Sequence, residues 1–99
     1  MIPDRVRVLG KVFTIRYMTW IEADDTHGMM TMDNAAIRIT NGLDMDIERD
    51  ALLHEVIHVV DESLKLKMTE EQVHALACGL FAVLKENPEF VTYLVRQGT

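Results

Sequence analysis

The chain has little with which to brace itself covalently and nothing with which to cross a membrane as a helix. Cys78 is the only cysteine in 99 residues, so no disulfide can form within the chain and a cysteine-rich structural zinc site is excluded. No apolar run approaches the ~20 residues that span a bilayer. Met1 to Arg7 offers neither the h-region nor the cleavage site of a secretory signal, so the expected location is cytoplasmic and no membrane partner is expected. Positive charge is also short. Ten Lys and Arg stand against sixteen Asp and Glu, a net charge of -6, and the basic residues are scattered along the sequence. Such a chain would repel a phosphate backbone, so nucleic acid is not an expected partner. No repeat, linker or low-complexity segment interrupts it.

What is present suits one domain over residues 1–99, with 48% hydrophobic and 26% charged residues and room for a single modest core. From Arg5 to Met18 the β-branched and aromatic residues Val6, Val8, Val12, Phe13, Ile15 and Tyr17, broken by Leu9-Gly10-Lys11, predict a hairpin. Asp24 to Gly28 reads as a loop and Met29 to Met32 as a short strand. Ala36 to Thr40 alternates so that Ile37 and Ile39 face inward and Arg38 outward, and Asn41-Gly42 ends that strand.

Three helices should follow. The first begins near Asp44 or Asp46 and runs to about Lys65. One apolar stripe holds Leu53, Ile57, Val60 and Leu64, an adjoining one holds Leu52, Val56 and Val59, and a third face holds Ile47, Ala51, His54, His58 and Asp61. Thr69 with Gln72 forms a capping box that opens a second helix, whose buried stripe is expected to be Val73, Leu76, Ala77, Leu80 and Leu84. Asn87-Pro88 closes it and starts a short last helix, in which Phe90, Leu94 and Tyr93 would pack back. The expected class is α+β: a small antiparallel or mixed N-terminal sheet, then a helical core with two further helices.

The first of these helices carries His54-Glu55-Val56-Ile57-His58, an H-E-x-x-H pattern that marks zinc hydrolases. Residues four apart lie about 40° from each other on a helix, so both imidazoles leave one face and can share a tetrahedral ion, with Glu55 beside it as a base. Catalytic zinc takes three protein ligands. Asp61 and Leu64 stand where the extended metzincin pattern needs glycine and histidine, so that subclass is excluded. Glu62, Glu70, Glu71 and His74 remain. Glu62 lies one turn beyond His58 and cannot curl back onto the ion. Glu70 sits at the edge of the buried stripe of the next helix while Glu71 points nearly opposite, which favours Glu70. His74 is the second choice as ligand, or a donor to the reaction intermediate. Asp61 can accept a hydrogen bond from a ligand imidazole or stand solvated. Tyr93 and Tyr17 are oxyanion-donor candidates whose default is packing, His27 reads as a loop histidine, and Cys78 as a small packing residue.

The string Leu52-Leu53-His54-Glu55-Val56-Ile57-His58, then Thr69-Glu70-Glu71-Gln72-Val73, Leu76-Ala77, Gly79-Leu80 and Asn87-Pro88 resembles the minimal gluzincin-type zincin-like proteins common in phages and prophages. The resemblance spans roughly residues 36–97 and is most specific at the metal motif. It implies a small sheet ahead of the metal helix, zinc held by His54, His58 and Glu70, and, for a phage-encoded chain, residence in the bacterial host cytosol. The expected function is a small zinc metallopeptidase acting on a peptide or protein, in which Glu55 is the general base. If Ala36 to Thr40 were a sheet edge, an extended peptide could add to it. Two rival readings are an interaction module of phage or mobile-element origin with a structural zinc, and a hydrolase of non-peptide amides.

Overall fold

In a computed structural model that describes residues 1–98, the first hairpin closes through Leu9 and Gly10. Their φ values of 50° and 88° suit a type I′ turn, whose twist matches that of the strands it joins. These strands are β1 (Arg5–Val8) and β2 (Lys11–Met18). A one-turn helix, α1 (Trp20–Ala23), follows at once. It is capped reciprocally: Thr19 Oγ1 accepts from the Glu22 amide while Glu22 Oε1 accepts from the Thr19 amide. The chain then forms β3 (Gly28–Thr31), one residue earlier than the pattern predicts, and β4 (Ala36–Thr40).

The four strands make one mixed sheet in the order β1-β2-β4-β3. The β1–β2 and β3–β4 pairs are antiparallel and β2–β4 is parallel, with Ile15 beside Ile37 and Tyr17 beside Ile39. This order corrects one expectation. β4 is an inner strand, because the crossover through α1 and β3 brings it back beside β2, and the free edge on that side is β3.

Three helices complete the α+β fold: α2 (Met45–Leu64), α3 (Glu70–Glu86) and α4 (Pro88–Val95). α2 lies on the inner sheet face, where Ala51 and Val59 join Phe13, Ile15, Ile37 and Ile39 in the main core. Its next face, Leu53 and Ile57, packs with Val73 and Ala77 of α3 and with Met68. α2 is therefore clamped between two layers, which explains why its apolar residues wrap more than one stripe. The antiparallel α2–α3 pair is tied at its far end by the Lys85–Asp46 ion pair.

Several expected core positions are not buried. Leu64 ends α2, where Lys65 turns away at φ 56°, and it is exposed. Leu76 and Leu80 are exposed because α3 meets α2 on one side only, and Leu84 is half-buried. Phe90, Tyr93 and Leu94 are exposed, and α4 buries no residue. Cys78 is also exposed. Among the described residues no helix is long and apolar enough to cross a membrane.

The alternation of the strands has a second consequence. With Val8, Phe13, Ile15, Ile37 and Ile39 turned under α2, residues Arg5, Arg7, Arg16 and Arg38 emerge on the opposite, solvent face. Four of the ten Lys and Arg, dispersed in the sequence, are thus gathered on one surface.

Candidate metal centre

The histidines of α2 come to the surface between its two packed faces. Ala51, Glu55 and Val59 turn inward and Ile57 meets α3, leaving His54 and His58 half-buried at the mouth of a cleft. The cleft, of about 530 Å³, is bounded by α2, the start of α3 and the segment from Asp25 to Gly28 that leads into β3.

Local devices place the third residue. Lys65 and Lys67 take positive φ values of 56° and 59° in the α2–α3 connection, and the Met68 amide donates to Asp61 Oδ1 at 3.0 Å. Thr69 then starts α3 through a capping box, its Oγ1 accepting from the Gln72 amide while Gln72 Oε1 accepts from the Thr69 amide. Glu70 is consequently the first helical residue, and its carboxylate faces both imidazoles.

The geometry is tight. Glu70 Oε1 lies 2.7 Å from His54 Nε2, Glu70 Oε2 lies 3.0 Å from His58 Nε2, and the two Nε2 atoms are 3.1 Å apart. Two nitrogens on one tetrahedral zinc, each about 2.0–2.1 Å from it, would stand about 3.3 Å apart. Two imidazoles and a carboxylate match the donor chemistry of catalytic zinc, and the three ligand atoms converge within 4.8 Å. The residues fit such an ion.

Glu55 is 7% exposed, yet it lines the same cleft. Burial, and next the nearby Glu70 carboxylate, push its pKa up to about 7, the range in which a carboxylate can both take and return a proton near neutrality. Its room comes from Gly28. A Cβ there would stand 3.1 Å from Glu55 Cγ and 3.0 Å from Ile39 Cδ1.

Of the other candidates, His74 lines the cleft, with its ring 6.1 Å from that of His54. Its Nε2 faces Cys78 Sγ at 3.8 Å, and it is outside the convergent set. Glu71 and Glu62 are exposed and outside that set too. Two proposed roles need correction. Asp61 accepts from the Met68 amide at Oδ1, organising the loop before Glu70, and among the described residues no imidazole donates to it. Tyr93 is 69% exposed, carries the Arg96 guanidinium over its ring and does not line the cleft. Tyr17 likewise stands elsewhere, accepting from the Ile2 amide.

Sequence reasoning missed the far wall. Asp25, Thr26, His27 and Gly28 border the cleft, so all four histidines of the chain lie around it. Asp50, one turn before His54, also lines it and holds Oδ1 buried without a hydrogen-bond partner. Asp50 was legible as an i−4 neighbour of His54, whereas the Asp25–Gly28 wall depends on strand order. Comparison with protein-family models, with characterised proteins and with solved structures finds no match to this chain.

Proposed function

We propose that the chain is a small zinc-dependent metallopeptidase of the gluzincin type. The observation that carries this reading is the convergence of His54, His58 and Glu70 within 4.8 Å, beside a buried Glu55 in an open cleft. Zinc bound there supplies Lewis acidity toward water and toward a carbonyl. Glu55 takes the proton of the attacking water and delivers it to the leaving nitrogen. His74 and His27, on opposite walls, are the cleft side chains able to donate to the oxyanion.

A peptide suits this cleft because β3 borders it and is a sheet edge. An extended segment can pair with the free amides and carbonyls of β3, which would carry its backbone past Glu55. The test is cleavage of a diverse peptide library by zinc-loaded protein, read by mass spectrometry. Cleavage that stops on chelation supports the reading. Absence of cleavage across the library would move the assignment to a zinc-stapled interaction module, a reading favoured by the exposed apolar side chains Leu76 and Leu80 on α3 and Phe90 and Leu94 on α4.

A further inference from the structure

The solvent face of the sheet carries the second feature that asks for a partner. In the strand registers Arg5 stands beside Thr14, Arg7 beside Val12, and Arg16 beside Arg38. The four arginines therefore form a diagonal band across β1, β2 and β4, with backbone spacings of about 5 to 8 Å. Like charges on neighbouring strands repel, and no ion pair among the described residues offsets this. Among the described residues none of the four guanidinium groups makes an ion pair or a hydrogen bond, in a protein with sixteen acidic residues. Glu22, the acid whose charge interacts with Arg38, is hydrogen-bonded to Thr19.

The band ends at an apolar step. Met18 and Thr40 follow Arg16 and Arg38 on the same face and are buried, so α1 and the segment after it close that end of the sheet. On α1, Trp20 and Ile21 are 74% and 72% exposed. Tryptophan and arginine are the side chains that most often anchor protein interfaces.

We propose that this face binds an acidic, extended segment of another protein, with carboxylates on the arginine band and an apolar side chain on Trp20 and Ile21. Guanidinium forks match carboxylates in bidentate pairs, and acids at alternate positions of an extended chain recur about every 7 Å, the spacing of Arg5 and Arg7. A nucleic-acid strand fits less well. Val12, Thr14, Ala36, Met29 and Thr31 fill the face between and beyond the arginines, so no aromatic platform for bases lies along the band.

The surface lies on the sheet face opposite α2, so the inference stands independently of the metal site. The experiment titrates the 99-residue chain with a labelled peptide that alternates glutamate with serine and ends in leucine, and separately with labelled oligothymidylate, by fluorescence anisotropy at low and physiological salt. Trp20, the only tryptophan, reports contact at its end of the face by a blue shift. The peptide should bind more tightly than the oligothymidylate. Affinity should fall at least about tenfold in Arg16→Glu with Arg38→Glu, and also in the milder Arg5→Gln with Arg7→Gln, each shown to be folded by circular dichroism. His54→Ala with His58→Ala should bind as wild type. Unchanged affinity in both arginine variants, tighter binding of oligothymidylate, or loss in the histidine variant overturns the proposal. So does sedimentation showing that the arginine band instead holds a second copy of the chain.

Discussion

Gly28 of the edge strand lies directly over Glu55 of α2, and a Cβ on Gly28 would reach 3.1 Å from Glu55 Cγ and 3.3 Å from the Arg38 carbonyl oxygen. Backbone cannot yield as a side-chain tip can, so an added methyl must displace the glutamate or β3. Gly28→Ala is expected to lower stability by about 1–3 kcal/mol, the usual cost of overpacking. It should leave zinc stoichiometry at one per chain while reducing kcat more than it raises KM. Urea denaturation, metal analysis and steady-state kinetics check this, and wild-type kinetics in the variant would remove Gly28 from any positioning role.

The metal-free protein should respond to pH through Glu55. Its folded pKa of about 7 lies above the ordinary 4.5, so between these values the folded chain holds a proton that the unfolded chain releases. Stability therefore falls as pH rises through this window. Glu55→Gln removes the effect and should make the chelator-treated protein more stable than wild type above pH 7, by on the order of 3 kcal/mol. Urea unfolding of both proteins at about pH 5 and about pH 8 measures it. A wild type that gains stability across that interval relative to the variant would contradict the assignment.

Zinc binding should discriminate among neighbouring acids. Glu70→Ala is expected to weaken affinity severely, Glu71→Ala to leave it nearly intact, and His74→Ala to reduce turnover more than affinity. Wild type should hold one zinc per chain and melt at a higher temperature when loaded. Competition titrations with a chromophoric chelator and thermal melts report these outcomes, and severe loss in Glu71→Ala with none in Glu70→Ala would place the third ligand wrongly.

Thr69→Ala probes the device that aims Glu70. Loss of the capping box should cost about 1 kcal/mol of stability, and because Glu70 is the first residue of α3, zinc affinity should fall as well. Thr69→Ser, which keeps the acceptor oxygen, should restore both. Isothermal titration and thermal melts decide it.

What the sequence made legible is what depends on near neighbours. The Leu9-Gly10 turn, the inward Ile37 and Ile39, the span of α2 and the Thr69–Gln72 box are each set within a few residues, and so is the pairing of His54 with His58. Glu70 stood out by its place at the edge of the Val73 and Ala77 stripe, opposite Glu71. α1 was missed although Thr19 and Glu22 carry the same capping signal, because four polar-flanked residues give no periodicity. The cleft wall of His27 and Gly28, and the arginine face, depend on which strands become neighbours, and that order follows from a crossover. The exposed Leu76, Leu80 and Leu94 show the converse: a helical wheel identifies an apolar side but not whether another element reaches it.

The most direct test of the peptidase reading compares wild type with Glu55→Gln at equal zinc occupancy on the same peptide library. Glutamine keeps the shape of the side chain and cannot accept the proton, so the expected result is retained fold and zinc with at least a ~100-fold loss of cleavage rate. Equal cleavage by the two proteins would contradict it.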